Sequence, residues 1–417
     1  MSEWVGTAHR GYPRRVVTLD DIRQAMERIS GVIRPTPVTS SETLSRVARR
    51  PVLVKPEYLQ RTGSFKIRGA YNFVSRLPRG DGEPTEVVAA SAGNHAQGVA
   101  MAANLCGLSS TVFMPGAAAL PKVEATRSYG ATVRLVGEAV DEAMAAARDY
   151  AEAHHAVIVP PFDDPLVIAG QGTIGLEVVE EAPDAEVLVV PVGGGGLVAG
   201  VGAALAGARR PMKVVGVQAV GAASMVASMG ARHPVAVSEL ATMADGIAVR
   251  APSELTLAHA QAYVDDVVTV TEEEISRAIV LLLERSKAVV EPAGAVALAA
   301  ILAGKVPGSG PALAVLSGGN VDPLLLVRII DHGLSAAGRY LLLRIVLGDR
   351  PGALAALTEE VAKMSLNVLS VAHHRSGLAL GIDEVQVLLT LETRDPAHRD
   401  EIVGTLRSRG FTVDLVR

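Results

Sequence analysis

Val187-Leu188-Val189-Val190-Pro191-Val192-Gly193-Gly194-Gly195-Gly196-Leu197 sets a short apolar run directly before four glycines and an Ala- and Gly-rich segment. The run Val187 to Val190 is apolar at every position, not at alternate ones, so as a strand it is buried on both faces. That is the habit of a parallel sheet with helices above and below, and such sheets bind ligands in loops at the carboxyl ends of their strands. Four glycines are costly in backbone entropy, and they suggest close approach of the backbone to a phosphate held on amides at a helix N-terminus. A P-loop would need Gly-Lys-Ser/Thr, but Leu197 follows Gly196. A dinucleotide site would match Gly194, Gly196 and Ala199 only loosely, and Gln218 stands where it wants a ribose-binding acid. A monophosphate remains.

The same alternation extends on both sides. Glu86 to Ala90, Thr111 to Met114, Ala131 to Val136, Val214 to Val217 and Ala312 to Leu316 read as strands, separated by helices such as His95 to Cys106, Pro121 to Gly130 and Glu138 to Ala153. Gly294 to Ala303 reads as a buried helix. The tail differs. After a helix around Asp322 to Ala336 and a short linker at Gly338-Arg339, strand Tyr340 to Leu347 leads into the turn Gly348-Asp349-Arg350-Pro351-Gly352. Pro351 is expected to open a helix to Met364. Val368 to Arg375 and Glu384 to Thr390 are expected strands, Ala397 to Arg409 a helix, and Thr412 to Val416 a last strand. That β-α-β-β-α-β order is ferredoxin-like.

Three further segments, the third of them a pair, fall just after strands or at helix starts. Arg61-Thr62-Gly63-Ser64-Phe65-Lys66-Ile67-Arg68-Gly69-Ala70 puts Lys66 at the first turn of a helix ending near Arg76. There the helix dipole and any neighbouring cation would lower its pKa and favour a free amine for Schiff-base formation. A solvated surface lysine is the plain alternative. Ser91-Ala92-Gly93-Asn94-His95-Ala96-Gln97-Gly98 follows the strand ending at Ala90 and offers converging amides to a carboxylate, or simply a capped turn. Glu291-Pro292-Ala293-Gly294 and Ser317-Gly318-Gly319-Asn320 are loop punctuation taken alone, although Ser317 would point into the same crevice as the rest.

Taken together, in this order and spacing, the four segments resemble fold-type II pyridoxal-phosphate (PLP) enzymes, and within them the threonine dehydratases with their serine dehydratase and racemase relatives. The resemblance covers Leu19 to Ala336. The tail resembles an ACT domain, the regulatory module attached to many amino-acid enzymes. The resemblance implies two parallel-sheet lobes in a catalytic domain over residues 1–337, the small lobe roughly 52–154, and an ACT domain over 338–417. It implies that Lys66 holds PLP and acts as base and acid, and that Phe65 packs on the cofactor. Asn94 would bond its phenolic oxygen, and Glu291 would belong to the cofactor-binding set. Gly193, Gly194, Gly195, Gly196 and Leu197 would hold its phosphate, and Ser317 its pyridine nitrogen. Ser91, Ala92, Gly93 and His95 would line the substrate carboxylate loop. A hydroxyl at the pyridine nitrogen suits β-elimination over transamination. The expected reaction is deamination of threonine to 2-oxobutanoate and ammonia, with serine as a second substrate.

Two departures separate the relatives. Racemases of this kind use a serine as second base where this chain has Ala92, and they hold a divalent cation on acids where it has Gln218 to Ser224. No divalent metal is therefore expected at that place, and a monovalent cation stays open. A serine dehydratase or racemase, a catalytically silent amino-acid sensor working through the tail, and an NAD-dependent dehydrogenase are the alternatives. ACT resemblance implies an amino-acid effector at Asp349 to Leu354 and Asn367 to Val371, and a homodimer or homotetramer.

Composition narrows the rest. Of 417 residues, 49% are hydrophobic and 20% charged, which is globular. A net charge of −5 gives no reason to expect nucleic acid or an anionic membrane as partner. Lone Cys106, the absence of a signal-peptide core in Met1 to Arg15, and apolar stretches broken before the ~20 residues a span needs all point to the cytoplasm. His154-His155 and His373-His374 are adjacent and so do not share a face as ligands. Cys106 reads as a small buried filler, and Thr271-Glu272-Glu273-Glu274 as the acidic start of a helix.

Overall fold

The computed structural model describes residues 16–416 other than 79, 81, 337 and 376–379. The expectation about Met1 to Arg15 therefore lies outside the described residues, as does the last residue of the expected catalytic domain. The chain divides into two compact units between Leu326 and Val327, inside the helix Pro323–Ala336 and not at the linker after it.

In the first unit the deciding stretch is a strand, Val187–Pro191, with every residue buried. It pairs in parallel with Ala312–Val315 on one side and Lys213–Ala219 on the other. Val52–Lys55 and Asp266–Val270 extend this sheet in parallel, and Thr39–Ser40 adds an antiparallel edge. The helices that cover it include Pro165–Glu181 and Gly196–Gly207, which cross so closely that a Cβ on Gly200 would lie 2.3 Å from the Ile168 carbonyl oxygen. A smaller parallel sheet is ordered Thr132–Leu135, Ser109–Met114, Glu86–Ala90, Val157–Ile158. Apart from the Thr39–Ser40 edge, both sheets are parallel, as the uninterrupted apolar runs require.

One boundary is corrected. Val52–Lys55 belongs to the larger sheet, so the smaller sheet is built from Glu86 to Ile158 and not from residue 52 to 154. The four-residue run reads as a strand in either lobe. Its partner Ala312–Val315 is distant in sequence and leaves no mark on local pattern.

The second unit has the expected order. Strands Tyr340–Gly348, Val368–His374, Glu384–Glu392 and Thr412–Leu415 form an antiparallel sheet, with helices Ala353–Lys363 and Pro396–Ser408 between them in sequence. Burial alternates along Glu384–Glu392, and Leu341, Leu343, Ile345, Val387, Leu389, Leu357 and Leu406 form the core. Pro351 does not open the helix. Gly352, at φ +91°, is the N-cap, and the left-handed turn it alone makes cheaply starts the helix at Ala353.

Candidate active site

Lys66 is the first residue of the helix Lys66–Val74. The loop before it is stapled to the loop after strand Ala312–Val315: the Phe65 N–H donates to the Ser317 carbonyl at 3.1 Å, and the Gly319 N–H to the Gly63 carbonyl at 2.9 Å. Gly63 sits at φ +70°, and a Cβ there would lie 2.3 Å from Asn320 Oδ1, so only glycine fits. Two segments more than 250 residues apart in sequence are thereby joined at the lysine.

The Lys66 ammonium donates to the Pro161 carbonyl at 2.9 Å, and Nζ lies 5.3 Å from the centre of the Phe65 ring. Burial lowers its pKa to about 8, and Glu291 pulls the other way. The expected cause is thus corrected. The free amine is favoured by desolvation, and the charge beside it is a carboxylate, not a cation. Glu291 is itself pushed up to about 7, first by burial and then by Asp245, against a hydrogen bond from Asn94 and the charges of Lys122 and Lys66. Lys66 and Glu291 thus each favour the charged form of the other, against the burial that opposes both.

Asn94 is the first residue of helix Asn94–Leu105, and Gly93 is its N-cap with no side chain capping the turn. The Asn94 side chain is free for other work. Its Nδ2 donates to Glu291 Oε1 at 2.5 Å, and its Oδ1 accepts from Asn320 Nδ2 at 2.7 Å. His95 turns away and bonds the Val159 carbonyl through Nε2 at 2.8 Å. A carbonyl only accepts, so Nε2 carries the proton. Burial, and then the charge of Lys66, hold the ring neutral with a pKa of about 3. Ser91 accepts from the Gly93 N–H at 3.2 Å, and half-buried Ala92 brings no polar group.

Gly193 to Gly196 carry the chain from strand to helix, with Gly195 at φ +94° as the N-cap and no side-chain cap. Their glycine identity has a cause that local sequence does not reveal. A Cβ on Gly194 would lie 2.3 Å from the Phe162 ring, one on Gly196 would meet Phe162, one on Gly195 Met225 and Thr256, and one on Gly193 the Ile247 backbone. Protein packs against the loop from behind, and the amides of the uncapped helix start are left for an anion. Pro161 and Phe162 are neighbours in the chain, so one two-residue step seats both the lysine and the glycine loop. Sequence reasoning missed both. The Pro160-Pro161-Phe162-Asp163-Asp164-Pro165 run, with Asp164 capping the next helix, is the signal that could have found them.

Ser317 is buried at the end of strand Ala312–Val315, with Glu291 at the N-cap of helix Pro292–Leu302 close by, since a Cβ on intervening Gly318 would lie 2.2 Å from Glu291 Oε1. Ser64 Oγ, two residues before Lys66, is buried without a hydrogen-bond partner. Of the residues set aside, His154 stacks on Tyr150, and Thr271 makes a capping box with Glu274. Cys106 is only half-buried, as the C-cap of its helix. No helix among the described residues is long and apolar enough to cross a membrane.

The site is one in which a lysine with a lowered pKa, two uncapped helix starts, a buried hydroxyl and a carboxamide converge. The family model for pyridoxal-phosphate-dependent enzymes matches residues 29–318. The chain belongs to that family. An L-threonine ammonia-lyase from Thermotoga maritima is 47% identical over 402 residues, covering 96% of this chain and all of that protein. Among solved structures, the processed form of threonine deaminase isoform 2 from Solanum lycopersicum superposes with a TM-score of 0.70 at 35% identity, over 78% of this chain and 93% of that one. A maize serine racemase gives 0.72 at 31% identity, over 77% and 99%.

The residues fit PLP. The glycine loop suits its phosphate, Lys66 its aldehyde, and the buried Ser317 hydroxyl and Asn94 carboxamide its remaining polar atoms. Two results follow. Capture of PLP needs the free amine, so the capture rate should rise with pH and level off above about 8. Glu291→Gln removes the anion that raises the Lys66 pKa, and rapid-mixing absorbance should place the midpoint at lower pH; an unmoved curve would rule out that coupling. Gly194→Ala drives a methyl into Phe162, and overpacking of this kind costs about 1–3 kcal/mol. Equilibrium titration should show PLP dissociation constants raised about tenfold, with secondary structure unchanged.

Proposed function

We propose that this chain is an L-threonine ammonia-lyase, forming 2-oxobutanoate and ammonia, with L-serine as a poorer substrate giving pyruvate. The observation that carries this is 47% identity to a protein of that name across 96% of the chain, its C-terminal unit included.

PLP, when bound, supplies the electron sink that makes the Cα proton of an amino acid labile. The residues divide the remaining work. The amides of Gly193 to Leu197 would hold the phosphate, and Phe65, Asn94 and Ser317 would hold the ring, Asn94 through its phenolic oxygen and Ser317 through its pyridine nitrogen. The uncapped turn at Ser91, Gly93 and His95 receives the substrate carboxylate, as an anion at a helix N-terminus is favoured. Lys66 Nζ, with a pKa of about 8, takes the Cα proton. The Cβ–O bond breaks and the hydroxyl, taking up one proton in place of the one Lys66 removed, leaves as water; the unsaturated amine tautomerises to an imine, from which water releases ammonia, so the net reaction consumes none. Asn320 holds Asn94, and Asn94 holds Glu291, so the carboxylate and the carboxamide that would face the cofactor are set in one hydrogen-bonded chain. Ala92 has no group to deliver a proton to the opposite face, which disfavours racemisation.

The C-terminal unit acts as an ACT-like regulatory domain for an amino-acid effector, received near Asp349 to Leu354 and Asn367 to Val371. In support, the Gly352 turn opens a helix with no side-chain cap, and the edge strand Val368–His374 is exposed along its whole length. Val368, Leu369 and Val371 on that edge suit a second copy, as in a homodimer or homotetramer. A lone cysteine fits a cytoplasmic setting. The test is a product assay with L-threonine, L-serine and their D-forms. One methyl is worth about 1–3 kcal/mol of discrimination, so kcat/KM for L-threonine should exceed that for L-serine by roughly ten- to a hundredfold. D-serine accumulating in place of oxo acid would overturn the reading.

A further inference from the structure

Asn94 follows a strand of the smaller sheet and Glu291 caps a helix of the larger lobe, and two ion pairs that the chemistry above does not use also join the two lobes. Lys122, in the first turn of helix Leu120–Ser128, places Nζ 2.5 Å from Oδ2 of Asp245, in the short turn Asp245–Ile247. The helix lies between two strands of the smaller sheet, Ser109–Met114 and Thr132–Leu135, whereas the turn belongs to the larger lobe. The Lys122 side chain is 17% exposed and that of Asp245 57%, so the contact is shielded on the lysine side. The second pair, Arg250 with Asp141 at 3.9 Å, is long and exposed on both sides, and such pairs contribute little.

The turn that carries Asp245 is wedged into the site. A Cβ on Gly246 would lie 3.0 Å from the Ala293 Cβ and 4.0 Å from Glu291 Oε1, and a Cβ on Gly193, where the glycine loop begins, would lie 3.0 Å from the Ile247 Cα. The turn therefore packs directly against the start of the glycine loop and the helix that Glu291 caps. Lys122 and Asp245 are also near enough to bias Glu291, in opposite directions. An ion pair anchored so firmly on one lobe, and reaching the other, resists separation of the two.

We propose that Lys122 and Asp245 are positioning residues whose ion pair clamps the smaller lobe, with Asn94, onto the larger lobe, with Glu291 and the glycine loop, and so excludes water from the reacting centre. Closure of this kind strengthens each electrostatic contact inside a site and protects the reaction from solvent. The inference rests on the reading that Lys66 carries PLP.

The test uses the PLP-loaded full chain as wild type, Lys122→Met, Asp245→Asn, the double variant, and the reversed pair K122D/D245K. Two readouts are taken, kcat/KM for L-threonine and quenching of PLP fluorescence by iodide. Each single variant should lower kcat/KM about tenfold and raise quenching several-fold, the double variant should be no worse than a single, and the reversed pair should recover part of both. High salt should move wild type toward the single variants. Strictly additive losses, or quenching equal to wild type in the single variants, would overturn the clamp. Should Lys122→Met fold poorly, the more exposed Asp245→Asn carries the same comparison. Wild-type protein without PLP fluorescence would count against the Lys66 reading itself, whereas PLP signal with unchanged quenching counts against the clamp alone.

Discussion

Lys66→Ala is expected to lower kcat for L-threonine by about 10³–10⁴-fold or more, because one side chain serves as both anchor and proton carrier. Its only side-chain hydrogen bond among the described residues runs to the Pro161 carbonyl, so its removal leaves the helix Lys66–Val74 in place. Lys66→Arg separates charge from chemistry. A guanidinium keeps the cation beside Glu291 but cannot lose its proton near neutral pH, so this variant should be equally inactive. Steady-state rates with circular dichroism as a folding control decide the matter. Activity within tenfold of wild type in either variant would remove Lys66 from the centre of the reaction.

The largest stability effect is expected two residues further on. Arg68 is fully buried and gripped by two carboxylates. Its Nε and Nη2 donate to Glu57 at 2.9 and 2.7 Å, and its Nη1 and Nη2 to Glu177 at 2.5 and 2.9 Å. Thr173 accepts a further bond at 3.0 Å, and buried Lys55 reaches Glu177 at 2.8 Å. Burial alone would lower the Arg68 pKa, but Glu57 and Glu177 together hold it above the ordinary value. Arg68→Met leaves those two carboxylates facing each other without their shared cation. Breaking a buried pair by removing one partner costs about 3–5 kcal/mol, which in a unit of this size lowers the thermal midpoint by roughly 4–7 °C. Arg68→Lys, which keeps one charge but cannot fork to two carboxylates, should fall between. Calorimetry on the three proteins checks the order, and a midpoint for Arg68→Met within two or three degrees of wild type would refute it.

How far the molecule could be read in advance follows from which features are local. Val187 to Val190 and Ala312 to Leu316 declared parallel-sheet strands because full burial leaves an uninterrupted apolar run. Asn94, Ser317 and the four glycines stood where such strands end, and Lys66 at a helix start. Pairing partners are not local, and so only the register with Ala312–Val315 assigns Val52–Lys55 to the larger lobe. Arg68 lay inside a quoted motif, yet its role depends on Glu57 and Glu177, which no periodicity connects to it. The lysine illustrates the limit best. Its position suggested a lowered pKa, but the cause is burial and the nearby charge opposes it, because what surrounds a side chain is set by packing of distant segments. The glycines were expected to be thin for a phosphate in front of them, and Phe162, Met225 and Ile247 behind them are an equal reason.

The central claim is that Lys66 is the residue that carries PLP. The most direct measurement is borohydride reduction of the PLP-loaded protein, proteolytic digestion, and mass spectrometry of the labelled peptide. The account predicts one pyridoxyl group per chain, on the peptide containing Ser64-Phe65-Lys66-Ile67, and none in Lys66→Ala. A label on another lysine, or no label with PLP in excess, would contradict it.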